Sequence, residues 1–164
     1  MIINGKALLA AAAIKDMLTT KEREHGVSHG LSEAGYDLRI KQTIKFTYRH
    51  GLHYVQRDDE EPVMGRFIIA SAMEEFQMPD NLVGVVHDKS TWARQGLSIF
   101  NTVVESGWKG WLTLELVHHG NADLIIPAGA GIAQVLFAEL AEPSSYAGGK
   151  YQNQPDRPVP AILE

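Results

Sequence analysis

The sequence predicts an all-β domain with a single helix at its N-terminus. Most of the chain consists of short apolar or alternating segments that match strands, and turn signals such as Pro79-Asp80-Asn81 separate them. The length of 164 residues, with 45% hydrophobic and 21% charged residues, fits one globular domain over residues 1–164. Many short strands joined by glycine, proline and asparagine turns are typical of a β-sandwich or β-barrel.

The two ends of the chain differ from its middle. Apolar residues recur near helical spacing from Ile3 to Leu18, with Asn4 as the predicted N-cap, so residues 1–20 are predicted to form the helix. Residues 19–32 are polar and contain two glycines, which indicates a loop. Residues 142–164 are polar and rich in proline, and they predict a tail that does not pack as a core element.

The predicted strands follow in order between these ends. Residues 37–46 alternate between an apolar and a polar face, which is typical of a half-buried strand. Residues 48–62 show no clear period. Apolar or β-branched runs predict further strands at 67–78, 82–86, 98–104, 111–117, 124–126 and 132–140. In the strand at 111–117, the residues predicted to share one face are Leu112, Leu114 and Leu116.

Composition excludes several classes of function. Cysteine is absent, so disulfides, thiolate nucleophiles and Cys-ligated zinc are impossible, and a cytoplasmic protein is favoured. The net charge is −5, whereas proteins that bind nucleic acid usually carry an excess of positive charge. No apolar run approaches the ~18 residues that span a bilayer. We therefore expect neither nucleic acid nor a membrane as a partner. His25 and His29 lie in a glycine-containing segment that is a poor helix, so no direct metal ligand is predicted.

Glu115 is the most informative single residue. It lies in the middle of the predicted strand at 111–117, on the face opposite the three leucines. A carboxylate at such a position either faces solvent, which is the commoner case, or lines a cavity. Trp111, Thr113 and Val117 share its face, so that face is not simply solvated. Both alternatives stay open on these residues alone.

Two segments suit an anionic ligand. Residues 88–96 combine the cations Lys89 and Arg94 with hydroxyl groups such as that of Ser90, and such a turn can bind phosphate oxygens. The alternative is an amphipathic surface turn. Residues 148–154 are cationic and rich in amide donors, which predicts either a lid over an anionic ligand or a disordered end.

Six sequence motifs occur in a fixed order along most of the chain. They are AGYDLR at 34–39, FIIAS at 67–71 with MPDNLVG at 78–84, KSTWARQGL at 89–97, GWKGWLTLE at 107–115, PAGAGIAQ at 127–134 and KYQNQ at 150–154. Together they resemble the motifs of the dCTP deaminase branch of the trimeric dUTPase superfamily. Each motif is weak by itself, and the specificity comes from all six in that order.

The resemblance implies a distorted β-barrel or jelly-roll subunit of the dUTPase-like fold and a homotrimer with active sites between subunits. Its small-molecule partner would be a deoxynucleoside triphosphate. The resemblance also implies that Glu115 is a general acid/base and that Ser90 and Arg94 support the reacting centre. The residues implied to bind the substrate or its phosphates are Lys89, Arg94, Thr102, Val103, Glu105, Gln134, Tyr146, Lys150 and Gln154. Mg²⁺ would be carried by the phosphates and have no direct protein ligand.

The implied reaction is hydrolytic deamination of dCTP to dUTP and ammonia. Zinc deaminases hold their metal with histidine and cysteine, so a chain without cysteine would deaminate without zinc. The segment between Leu97 and Gly107 is shorter than the family pattern, which leaves alternatives open. One is a dUTP pyrophosphatase, or a bifunctional dCTP-to-dUMP enzyme, in which Glu105 activates water. Another is a non-catalytic regulatory protein that binds a deoxynucleoside triphosphate.

Overall fold

The computed structural model describes residues 1–163. Within this range, strands form three antiparallel sheets and two short helices lie beside them. The largest sheet has seven strands. They are β1 (Ile2–Ile3), β2 (Lys21–Glu24), β3 (Val27–Leu31), β4 (Tyr36–Arg39), β9 (Leu82–Asp88), β11 (Val103–Val104) and β14 (Gly131–Glu139). Their order in the sheet is β11-β9-β14-β4-β3-β2, and β1 pairs with β14.

The two smaller sheets complete the architecture. The three-stranded sheet consists of β10 (Leu97–Ile99), β12 (Lys109–His118) and β8 (Phe67–Gln77), in that order. The four-stranded sheet consists of β13 (Leu124–Ile126), β5 (Ile44–Arg49), β6 (Leu52–Arg57) and β7 (Val63–Met64). The helices are α1 (Gly5–Ala11) and α2 (Ser90–Ala93). The predicted mainly β class is confirmed. Within residues 1–163 the strands form three separate sheets and not one closed barrel.

The core is built from the inward faces of these strands. Its largest fully buried side chains include Tyr36 and Phe137 of the seven-stranded sheet and Phe76 of the three-stranded sheet. Burying such side chains stabilises the fold by roughly 1.5–3 kcal/mol each. No helix within residues 1–163 is both long and apolar enough to cross a membrane.

The predicted strand at 37–46 is two strands in different sheets, β4 and β5. Its apolar residues are buried as expected, but β4 ends at Arg39 and Gln42 lies in the segment between the two strands. The Gln42 side chain accepts a hydrogen bond from Ser71 N–H at 2.8 Å and donates one to Ser71 Oγ at 3.0 Å. The polar residue that interrupts the apolar face therefore marks the change of sheet.

The structure corrects two predictions near the N-terminus. The helix predicted over residues 1–20 covers only Gly5–Ala11, because Ala12 adopts a left-handed conformation (φ 48°) that ends it. The loop predicted over 19–32 is wrong, since β2 and β3 form a hairpin there. Its turn contains His25 and Gly26, both with positive φ. Every residue of β2 is exposed, so the sequence carries no alternation to reveal that strand.

The predicted strand at 98–104 is also divided, into β10 and β11. β10 pairs with β12, whereas β11 pairs with β9 in the seven-stranded sheet. The chain therefore crosses between sheets over residues 100–102. The strands predicted at 67–78, 82–86, 111–117, 124–126 and 132–140 are confirmed, with bounds that differ by at most two residues.

Candidate active site

A cavity of about 600 Å³ lies against the three-stranded sheet. Strands β8 and β12 form one wall, residues 101–105 form another, and the tail supplies a third through residues such as Tyr146 and Pro160. Six of the predicted site residues line this cavity, and they are Glu115, Thr102, Val103, Glu105, Tyr146 and Gln154. The fold therefore brings together residues that are up to 52 positions apart in the chain, from Thr102 to Gln154.

Glu115 projects from the middle of β12 into this cavity. It lies opposite Ile69 of β8 in the strand register, and its side chain is half-buried. Burial raises the pKa of the Glu115 carboxyl above its ordinary value. Of the two alternatives that the sequence leaves open, the structure shows the cavity-lining one.

The pairing of β8 with β12 is irregular just before Glu115. The pairing register with β8 shifts between Trp111 and Thr113. As a result Leu112 and Thr113 both line the cavity with Glu115. The prediction that Leu112 lies on the face opposite Glu115 is therefore wrong. The two steps along β12 from Trp111 to Thr113 face four steps along β8, from Glu75 to Ser71, so the extra residues lie in β8 and regular pairing is interrupted beside Leu112.

Asn101 is a cavity residue that the sequence analysis did not identify. Its side-chain Nδ2 donates to the Thr113 carbonyl at 2.7 Å, and its Oδ1 accepts from Glu115 N–H at 3.3 Å. The signal in the sequence is that asparagine is depleted in strands, yet it stands here inside a predicted β-branched run.

The tail docks on β12 instead of extending into solvent. Gln154 forms a parallel bridge with Gly110, where an added Cβ would lie 2.5 Å from Gln154 N. Thr113 Oγ1 lies 3.1 Å from Gln154 Oε1, to which it donates, and it accepts from Val159 N–H at 3.0 Å. The Trp108 indole N–H donates to the Tyr151 carbonyl at 2.6 Å. The predicted lid over an anionic ligand stays a prediction. The expected absence of packing in the tail is wrong, since Tyr146 packs against the core.

The predicted residues of the 88–96 segment lie outside this cavity. Ser90 and Arg94 are exposed on and just after α2. Lys89 is largely buried, with its Nζ 2.5 Å from Asp37 Oδ2 and 3.1 Å from Ser28 Oγ. Lys89 is thus already paired with a carboxylate of the same chain and is not a free point charge for phosphate.

Two further predicted residues are also outside the cavity. Gln134 of β14 lies opposite Asp37 in the strand register, and its Nε2 donates to Ser32 Oγ at 2.9 Å. Lys150 Nζ donates to the Ile162 carbonyl at 2.9 Å and lies 5.5 Å from the centre of the Tyr151 ring. The predicted residues therefore fall into two groups in this chain, those that line the cavity and those that lie outside it.

The charged side chains in the described lining of the cavity are acidic. Its described lining residues include two carboxylates, Glu105 and Glu115, and no lysine or arginine. Most of the rest are apolar or aromatic, such as Phe67 and Leu112. Such a surface suits a flat heterocycle and its sugar, because a polyanion there would meet carboxylates without a compensating cation.

The residues suited to a metal ion are few. Among residues 1–163, histidine, aspartate and glutamate side chains form no cluster of three that could hold a metal directly. Asp37 Oδ1 is buried and has no hydrogen-bond partner, beside the ion pair that its other oxygen makes with Lys89. This oxygen fits a hydrogen bond from a water molecule on a phosphate-bound cation.

Comparison with known proteins gives a family match over most of the chain. A family model described as dCTP deaminase-like matches residues 8–140. A curated relative from Campylobacter concisus (strain 13826), named dCTP deaminase, is 37% identical over 155 residues, which cover 84% of this chain and 83% of that protein.

Solved structures share the fold at low sequence identity. The 2′-deoxycytidine 5′-triphosphate deaminase from Agrobacterium tumefaciens superposes with a TM-score of 0.56 at 16% identity, over 83% of this chain and 47% of that one. A mutant dUTPase from phage phi11 of S. aureus, whose structure is described as containing a structural Mg(II) ion, has a TM-score of 0.52 at 14% identity. That match covers 80% of this chain and 90% of the other. At these identities the likeness establishes the fold alone.

Proposed function

This chain belongs to the dCTP deaminase-like family, and on that premise we propose that it catalyses the hydrolytic deamination of dCTP to dUTP and ammonia. The observation that carries the proposal is Glu115, a half-buried carboxyl group with a raised pKa that lines a largely apolar cavity. A carboxyl group whose pKa is raised by burial is suited to accept a proton and return it during catalysis. The proposed role of Glu115 is therefore general base and then general acid.

The reaction requires one water molecule and one shuttled proton. As the water oxygen forms a bond to C4 of cytosine, Glu115 accepts a proton from it and delivers that proton to N3. The second proton of the attacking water then moves to the amino group, the C4–N bond breaks, and ammonia leaves with uracil as the product. The sum is dCTP plus water giving dUTP plus ammonia, so atoms and charge balance with one carboxyl group. Apolar residues of the lining such as Leu112 and Trp108 would lie beside the base in this proposal.

The triphosphate must be bound by groups outside the cavity of the same subunit. The cavity lining described here supplies carboxylates and no cation, whereas Arg94 and Ser90 are exposed on another part of the surface. We propose that a homotrimer brings Arg94 and Ser90 of one copy to the Glu115 cavity of the next. In this proposal Lys150 and Gln134 complete the part of the site that binds the triphosphate. Lys89 is held beside it by its ion pair with Asp37.

Magnesium enters the proposal as part of the substrate. The triphosphate would carry Mg²⁺, which neutralises phosphate charge. Asp37 would accept a hydrogen bond through its unpartnered Oδ1 from a water molecule of that ion. No protein residue is proposed as a direct ligand.

Ammonia release from dCTP tests the proposed function directly. We expect the wild-type protein to release ammonia and dUTP from Mg·dCTP. Glu115→Gln is expected to lower kcat by about 10³-fold while the Kd for dCTP changes by less than roughly tenfold, ~1.4 kcal/mol. Glu139→Gln is the matched control, because Glu139 is an exposed carboxylate at the end of β14. Wild-type activity in Glu115→Gln would exclude its proposed role.

Glu105 supports a second candidate, the bifunctional conversion of dCTP to dUMP. Its side chain is exposed and lines the same cavity as Glu115, so a second carboxylate is available to activate water toward the α-phosphorus. Product analysis separates the possibilities. Ammonia with dUTP marks the deaminase alone, ammonia with dUMP and pyrophosphate marks the bifunctional enzyme, and pyrophosphate from dUTP without ammonia from dCTP marks the pyrophosphatase. Tight binding without any product marks a regulatory protein.

A further inference from the structure

The edge of β12 that faces β10 is bordered by two different segments. Residues 116–118 pair with β10, and Gly110 is bordered by Gln154 of the tail. Glu115 lies between these two regions, at the point where the chain leaves β10 and crosses to the seven-stranded sheet. On this edge of β12, regular strand pairing therefore stops at Glu115, the proposed general acid/base.

A side chain replaces the missing strand at this point. Phe100 N–H donates to the Glu115 carbonyl at 2.9 Å, as in a regular ladder. The Glu115 N–H, however, donates to Asn101 Oδ1 at 3.3 Å, and Asn101 Nδ2 donates to the Thr113 carbonyl at 2.7 Å. The Asn101 carboxamide thus satisfies one backbone donor and one backbone acceptor on either side of Leu114.

Few side chains can make this pair of bonds. The task needs one acceptor and one donor on a short, planar group, which an asparagine carboxamide provides. An aspartate at position 101 would lack the donor for Thr113 and would add a negative charge near Glu115. A leucine of similar size would leave the Thr113 carbonyl and the Glu115 N–H without partners.

We propose that Asn101 is a positioning residue for Glu115. Its carboxamide fixes the backbone of β12 at Glu115 and so holds the carboxyl group at a defined place in the cavity. The same bonds fix the crossing segment, which places Thr102 and Val103 on the cavity wall. This inference rests on the proposed deaminase function for its catalytic consequence, while its structural content concerns the backbone of β12 alone.

Kinetics of three Asn101 variants test the catalytic consequence. For Asn101→Leu we expect kcat for dCTP to fall about 100-fold with KM within about threefold, because misplacing a reacting group affects the transition state more than binding. Asn101→Gln keeps both polar groups and is expected to recover at least about tenfold of that loss. Asn101→Asp is expected to move the acidic limb of the kcat profile to higher pH, because a nearby negative charge disfavours ionisation of Glu115. Asn81→Asp and Asn81→Leu, in an exposed turn, are the matched controls.

Residue-resolved amide hydrogen exchange gives a second readout that does not depend on turnover. We expect Asn101→Leu to expose the Glu115 amide to exchange while the amides of Leu114 and Leu116 stay protected, since they point toward the other side of β12. If wild-type protein releases no ammonia from dCTP, the deaminase proposal fails and this readout still decides the role of Asn101 in the backbone. Unchanged protection at Glu115 in Asn101→Leu, or lost protection with kcat within twofold, would overturn the inference. If Asn101→Leu does not fold, Asn101→Ala, which also removes the acceptor for Glu115 N–H, is used in the same way.

Discussion

The cavity beside β12 and the surface around α2 differ in the charged side chains that they carry. The cavity carries Glu105 and Glu115 with no described cation in its lining, whereas the α2 surface presents Arg94 with the exposed hydroxyl of Ser90. A deoxynucleoside triphosphate has a flat, nearly neutral base at one end and a polyanion at the other. Each region suits one end of that molecule, so the comparison favours a site completed by two copies of the chain.

Mixing two inactive variants gives the largest effect expected from this comparison. If Glu115 and Arg94 act from different subunits, Glu115→Gln and Arg94→Ala should each be nearly inactive alone. Co-expressed, they form mixed trimers in which some sites combine an intact Glu115 with an intact Arg94. Random assembly predicts recovery of about a quarter of wild-type ammonia release.

The control is the same pair of variants mixed after separate purification, without subunit exchange. That mixture is expected to stay at the activity of the single variants. Persistent inactivity of the co-expressed trimers would show that Glu115 and Arg94 serve the same subunit's site. Light scattering at micromolar concentration checks the trimer itself, and a monomer there would contradict the shared-site arrangement.

The ion pair between Lys89 and Asp37 allows a second test of how the two regions differ, through protein stability rather than activity. Both side chains are largely buried, with 11% and 3% exposed, so removing one charge leaves the other without a partner. Asp37→Asn is expected to lower the free energy of unfolding by about 3–5 kcal/mol. The exposed pair of Lys41 with Asp156 is the matched control, and Asp156→Asn is expected to cost less than about 1 kcal/mol. Equal losses in urea unfolding of the two variants would contradict this view of Lys89.

The strands with clear apolar alternation or long apolar runs could be predicted from sequence, but the points where the chain changes sheet could not. β13, at Leu124–Ile126, has its predicted bounds because an apolar run and Pro127 define it locally. The hairpin of β2 and β3 was missed since β2 is an exposed edge whose side chains bury nothing. The division at Gln42 depends on a hydrogen bond with Ser71, a residue 29 positions away.

The candidate site was predictable in its residue types and only in part in its arrangement. Glu115 stood out because a carboxylate interrupts an apolar strand. The role of Asn101 depends on where β10 ends and on the backbone of β12, neither of which leaves a local pattern. The irregular pairing of β12 with β8 beside Leu112, which lines the cavity, likewise leaves no local pattern. Long-range pairing, rather than local propensity, determines these details.

The smallest expected effect concerns the stability cost of placing Glu115 in the cavity. Burial raises the pKa of its carboxyl in the folded protein above the unfolded value, so the folded state binds the proton more tightly. The favourable contribution of this proton is complete below the unfolded pKa and is lost as the pH rises through the folded pKa. Glu115→Gln removes that dependence, so it should raise Tm slightly at pH 7 and have no stabilising effect near pH 4. Since the carboxyl group is half-buried, solvent screening limits the gain. Thermal unfolding of both proteins across this pH range would show it, and a Glu115→Gln protein less stable than wild type at pH 7 would mean that the ionised carboxylate is stabilised in the cavity instead.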